Sequence, residues 1–391
     1  MTPTAAAAPA AESVFVRIPA LAARHGAVNL AQGVFDHGPD QALLAALAAL
    51  GSGLEHQYAP SAGHPLLRSA LAGRLRLLEG VAVDPDTEVT VTVGATEALH
   101  CVIGALVGPG DEVVLVEPAY EQYAPAVRSA GGTTRALRLT GPGDRIDAAA
   151  LAAVVTPATR AIVVNSPWNP LGRGLGAEEW RAVADLTRRG VVVVSDETYE
   201  DLNLDGSPHT GVLGAVADPE LRVKISSVSK SFAATGWRVG WTVAGPELTR
   251  RIRAVHQFVT FCPPTPLQIA VASVLGAPDT PEVLARRARD LRARVDGFVS
   301  ALHGLGLPAT APANGFFVLA DVGEDAERWC DRTIVEARVA ALPMSVFYSE
   351  PVPPMASVVR FAVCKRQETL DEAVRRLRSH HTRRRTSCTW P

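Results

Sequence analysis

Residues 191–194 are four consecutive valines, and they run through Ser195 into Asp196. A β-branched run with no polar side must be covered on both faces, which is the condition of a strand in a parallel sheet rather than of a surface hairpin. Comparable apolar runs recur at residues 88–93, 112–116, 161–165, 223–227 and 239–244. Helix-like stretches separate several of them, at 94–107, 120–130 and 177–189. Buried strands alternating with helices predict an α/β fold with a mostly parallel sheet between helical layers.

The flanks read differently. Leucines 43, 44, 47 and 50 mark a helix over 41–50, and 66–78 is a second amphipathic helix. Beyond Pro278 a long Arg-rich helix spans 281–305, followed by strand-like 315–321 and 358–363. At 391 residues the chain has room for two domains. The expected division is a leader over 1–12, a small domain from 13–42 and 280–378, a large domain over 43–279, and a mobile tail over 379–391.

With 47% hydrophobic and 20% charged residues a large core is expected, not global disorder. A net charge of −2 provides no broad basic field for nucleic acid or acidic membranes. The five cysteines, 101, 262, 330, 364 and 388, are scattered and form no C-x-x-C or His/Cys cluster. No apolar run reaches the ~20 residues of a membrane span, and the leader lacks the basic start of a signal peptide. The expectation is a cytoplasmic protein without nucleic-acid or membrane partners and without a metal site.

In open α/β sheets ligands bind beyond the carboxyl ends of the strands, and suggestive residues sit at those ends. Lys230 lies among Ser227, Ser229 and Ser231, with Arg238 eight positions on in a Gly/Trp frame. Desolvation makes a buried lysine amine a good Schiff-base former, and an arginine nearby is an anion clamp. Gly94-Ala95-Thr96 reads either as an ordinary strand–helix turn or as backbone amides holding a phosphate. Tyr120 is a core aromatic or the cover of a flat ring. Asn169 is a turn former or a donor to a ring oxygen. Asp196, with Tyr199 three residues on, is a helix cap or a buried carboxylate needing a partner. Arg360 interrupts an apolar strand and points either outward or toward a substrate carboxylate.

Together these segments resemble the pyridoxal phosphate (PLP)-dependent aminotransferases of fold type I, class I/II, over about residues 28–377. The subgroup most resembled holds the kynurenine, glutamine and methionine aminotransferases and the cysteine-S-conjugate β-lyases. The resemblance implies a seven-stranded, mostly parallel sheet in a PLP-binding domain, plus a smaller α+β domain built from both chain ends. It implies that Lys230 carries PLP through a Schiff base and moves the substrate proton. Asp196 would pair with the pyridine nitrogen, Asn169 and Tyr199 with the ring oxygen, and Tyr120 would stack on the ring. Ala95, Thr96, Ser227 and Arg238 would bind the phosphate, joined by Tyr58 from the other subunit of a homodimer with shared active sites. Arg360 would clamp the substrate carboxylate, helped by Gly33 and Asn169.

The loop 34–39, His64, Ala119 and Trp168 depart from the subgroup's pattern near the expected pocket, which points to an unusual side-chain preference. The implied activity is transamination between an α-amino acid and a 2-oxo acid. The alternative is cleavage of a cysteine S-conjugate to thiol, pyruvate and ammonia.

Overall fold

The computed structural model describes residues 13–387. Seven strands form the central sheet: β1 (Val89–Thr92), β2 (Glu112–Glu117), β3 (Thr133–Arg138), β4 (Thr159–Asn165), β5 (Val192–Asp196), β6 (Arg222–Ser227) and β7 (Gly240–Ala244). Their spatial order is β1-β7-β6-β5-β4-β2-β3. All neighbours are parallel except those of β7, which is antiparallel to both β6 and β1.

The valine runs explain the layering. Alternate side chains of a strand point to opposite faces. Val114, Ile162 and Val193 accordingly enter one buried cluster, while Val113, Ala161, Val163, Val192 and Val194 enter another across the sheet. Each fully buried valine contributes roughly 1.5–3 kcal/mol relative to an exposed one, so neither face tolerates water. No reading of the sequence named β3. It is one of the two edge strands, and of its six residues only Leu137 is buried, so it carries no apolar run.

A second, four-stranded antiparallel sheet is centred on Phe317–Asp321 and Val358–Ala362. Its core takes in Val295, Phe298 and Leu302 of the long helix Thr280–His303 and Leu370 of the C-terminal helix. The amino end joins the same body, because Val28–Asn29 pairs in parallel with Val339–Ala340. The molecule is therefore an α/β protein with a large sheet domain and a smaller α+β domain built from both ends of the chain.

Helix Val14–Arg24, to which the sequence reading assigned no element, is capped by the Ser13 hydroxyl and carries Phe15 in its first turn. The expected leader, 1–12, lies outside the described residues. The expected tail is helical as far as Ser387, as part of Gln367–Ser387, and its last four residues also lie outside. Among the described residues no helix is long and apolar enough to cross a membrane.

Candidate active site

Because β7 runs antiparallel to β6, no crossover helix is needed between them. The connection stays at the carboxyl end of β6 and holds Lys230, on the short helix Val228–Ser231, and Arg238. Strand β1 lies on the other side of β7, with Thr92 opposite Gly240, so helix Gly94–Leu106 starts beside that connection. Gly94 has φ +75°, and a Cβ there would lie 2.4 Å from an Arg238 Nη2. The guanidinium thus packs on the first turn of the helix, where backbone N–H groups are free and an anion is favoured. Arg238 itself adopts φ +54°, a conformation costly for any residue with a Cβ and kept by its surroundings.

A cavity of about 240 Å³ opens at this end of the sheet. Ala95, Thr96, Ser227, Lys230 and Arg238 line one side. Tyr120, Asn169, Asp196, Tyr199, Gly33 and Arg360 line the cavity as well. Eleven of the twelve residues expected from sequence therefore meet in one cavity. Tyr58 does not. Its side chain is 85% exposed and rests edge-on against Phe261 at 5.5 Å.

Lys230 Nζ donates to the Gly33 carbonyl at 2.9 Å. Burial lowers the amine to about 8, with Arg360 and Arg238 acting in the same direction and Cys364 and Asp196 opposing. Gly33 also packs against Phe316, since a Cβ there would sit 2.8 Å from that ring.

Asp196 ends β5 and accepts from Thr198 Oγ1 at 2.6 Å, from the Thr198 amide at 3.2 Å and from Tyr123 Oη at 2.8 Å. It caps the turn and also faces the cavity, so the two readings of this residue are compatible. Burial raises its pKa, while those hydrogen bonds oppose the rise. A cationic partner in the cavity would favour the ionised form.

Arg360 is 1% exposed and points inward. It donates to Asn169 Oδ1 at 2.6 Å and to the Ala31 carbonyl at 2.7 Å, while its buried Nε has no hydrogen-bond partner. The rings of Phe317, Phe347 and Phe15 lie 4.0, 4.9 and 5.8 Å from the guanidinium carbon. Burial lowers this arginine to about 10. A buried cation without a carboxylate has a strong tendency to acquire one.

Several lining residues escaped the sequence reading. Tyr123 was hidden in a stretch read as helix, although its three-residue spacing from Tyr120 was a signal. Thr198 lies two positions past Asp196, at the distance of a capping side chain. Phe15 and Phe317 carry no polar atom and read as core. Conversely, of the departures noted near the pocket, Val34 lines the cavity but His64, Ala119 and Trp168 do not. His64 caps helix Pro65–Leu78, and Trp168 Nε1 donates to the Pro118 carbonyl at 2.8 Å.

The pieces fit PLP. A cationic helix start suits its phosphate, a deep carboxylate its ring nitrogen, and a depressed amine its aldehyde.

Comparison with known proteins bears on the same chemistry. The family model "Aminotransferase class I and II" matches residues 26–377. A Mycobacterium tuberculosis protein named "Probable N-succinyldiaminopimelate aminotransferase DapC" is 41% identical, the match covering 94% of this chain and 96% of the relative. The methionine aminotransferase of Escherichia coli is 37% identical over 94% of this chain and 95% of its own. A solved structure of a methionine aminotransferase from E. coli superposes with TM-score 0.90 at 35% identity, covering 95% of this chain and 98% of that one. Sequence, fold and cavity agree that the chain belongs to the class I and II aminotransferases and is a PLP-dependent enzyme of fold type I.

Proposed function

We propose that the enzyme transaminates α-amino acids whose side chains are neutral and largely apolar, with a 2-oxo acid as acceptor. The observation that carries the side-chain preference is the composition of the cavity. Its lining contains three cationic side chains, Lys230, Arg238 and Arg360. Each has a role: Lys230 for the aldehyde, Arg238 for the phosphate and Arg360 for the substrate α-carboxylate. None is left for a second carboxylate. Around Arg360 the walls are instead Phe15, Val34, Tyr120 and Phe317. The relative named methionine aminotransferase supports a thioether or similar side chain. β-Elimination gains no specific support from the relatives.

In this reading Ala95, Thr96, Ser227 and Arg238 hold the phosphate, and Asp196 holds the ring nitrogen. Asn169 and Tyr199 hold the ring oxygen, and Tyr120 covers the ring face. When bound, PLP supplies an electron sink for the bond broken at substrate Cα and a carrier for the amino group between half-reactions. Lys230, its amine lowered toward neutrality, takes the proton from Cα. Arg360 fixes the carboxylate, and the packed phenylalanines exclude water from that contact.

The reading extends to the assembly. The exposed cluster of Tyr58 and Phe261, together with Phe258 at 86% exposure, supports docking of a second copy whose Tyr58 completes the phosphate site. A reducing cytoplasm suits Cys101, Cys262, Cys330 and Cys364, which are free thiols.

Initial rates with 2-oxo acid in excess test the substrate class. Methionine and phenylalanine should exceed aspartate and glutamate in kcat/KM by roughly tenfold or more, because an unpaired carboxylate in an apolar wall costs well over 1.4 kcal/mol. Equal rates with glutamate would refute the apolar assignment. A trace without oxo acid that yields thiol, pyruvate and ammonia from a cysteine S-conjugate would instead favour the lyase.

A further inference from the structure

Beside the phosphate end of the cavity lies a buried ion pair that the reaction chemistry does not use. Glu97 stands in the first turn of helix Gly94–Leu106, one residue past Thr96. Its carboxylate turns back over the helix start and accepts from the Val93 amide. The other oxygen accepts from Thr260 Oγ1 at 2.5 Å and from His256 Nδ1 at 2.9 Å. His256 is completely buried in the last turn of helix Pro246–Val259, and its Nε2 lies 2.8 Å from the Ser61 carbonyl. Both ring nitrogens therefore face acceptors, and a doubly protonated, cationic ring satisfies both of them.

Glu97 is the problem that this cation solves. Burial alone would raise its carboxyl, yet the hydrogen bonds from His256, Thr260 and Val93 hold it below the ordinary range, so it is ionised. A bare carboxylate in the turn that receives a phosphate dianion would repel it, most strongly in a site closed to water. Cys101 is the other titratable group beside the pair. Burial, aided by Glu97, pushes its thiol up to about 12, so it adds no charge.

We propose that His256 is a positioning residue for the cofactor phosphate: its imidazolium neutralises Glu97, so that the first turn of helix Gly94–Leu106 can receive a dianion. Through the Ser61 carbonyl the same ring ties the loop bearing Tyr58 to that turn. This inference rests on PLP binding at the site described above.

The test compares the affinities of the apoprotein for PLP and for pyridoxal, which lacks the phosphate, in wild type, His256→Gln, Glu97→Gln and the double variant. His256→Gln should weaken PLP about tenfold, the scale of one partly screened charge, and leave pyridoxal nearly unchanged. The double variant should recover most of the PLP affinity, because the carboxylate that needed neutralising is gone. Equal losses for PLP and pyridoxal, or a double variant as weak as His256→Gln, would show a scaffold role only and overturn the proposal. Should His256→Gln not fold, Glu97→Gln decides: PLP affinity at or above wild type upholds the proposal, and a phosphate-specific loss overturns it. Wild-type apoprotein that takes up no PLP would refute the cofactor reading itself, a result distinct from the others.

Discussion

In the proposed mechanism the chemistry turns on the Lys230 amine, and its surroundings set when it is reactive. Its partner is a carbonyl oxygen, not a carboxylate, so nothing in direct contact stabilises the ammonium as an ion pair would. Burial accordingly dominates and brings the amine to about 8. Only the neutral amine carries the lone pair that attacks an aldehyde. The rate of PLP capture by apoprotein should thus rise with pH and level off above about 8, rather than climbing toward the usual lysine range near 10.5. Stopped-flow mixing across that interval measures it; a rate still climbing steeply past pH 9.5 would contradict the lowered amine. Arg360 shows the complementary case, a buried guanidinium held by neutral acceptors and three rings, whose charge the proposed mechanism gives to the substrate carboxylate.

At the level of elements, the strands that carry the site are held from behind by a second charged cluster. Lys224 of β6 is completely buried and bonds Glu197 at 2.8 Å, Glu200 at 2.6 Å and Glu79 of the segment after helix Pro65–Leu78. Burial pushes this ammonium down, but the three carboxylates outweigh it and hold its pKa well above the ordinary value. A raised lysine stabilises the fold at every pH below its unfolded value, and the contribution is lost only as pH rises through the folded one. It is therefore intact at neutral pH. Lys224→Ala should destabilise by about 3–5 kcal/mol, the cost of leaving buried charges unpaired. Denaturant unfolding would register this as a lower midpoint, and part of the loss should disappear on acidification as the carboxylates protonate. A change under about 1 kcal/mol would mean the carboxylates are already neutral. Nothing in the sequence announced the cluster, because Lys224 looked like a polar break in an apolar strand and its partners are distant along the chain. Continuous valine runs, by contrast, made β5 and its neighbours legible within a residue or two. The edge strand β3 was not, because half-exposed strands have mixed composition. The same rule separates the site residues: those with a charge or an unusual turn were found, and the apolar wall of Phe15 and Phe317 was not.

For the whole molecule the outlying residue is Tyr58. Every other expected side chain converges on one cavity, whereas Tyr58 projects outward beside Phe261 on a face where Phe258 is also bare. The loop is pinned by three hydrogen bonds, one buried and two partly buried: Ala59 N to Thr265 Oγ1, His64 N to Gln268 Oε1, and the Ser61 carbonyl to His256. In the proposed dimer this loop would present its aromatic hydroxyl to the other copy, and closed twofold symmetry would make the exchange mutual. Lys230→Ala on one chain and Tyr58→Ala on the other then fall in the same site of a mixed dimer. In such a hybrid one site carries both changes and the other carries neither. Refolding the two variants together at equal amounts makes about half the dimers hybrid, each with one intact site, so about a quarter of wild-type activity should return. If each chain instead used its own Tyr58, every site in the mixture would carry one change, and activity would stay at the average of the two parents. Recovery above that average, measured against separately refolded controls, thus decides whether the site belongs to one chain or to two.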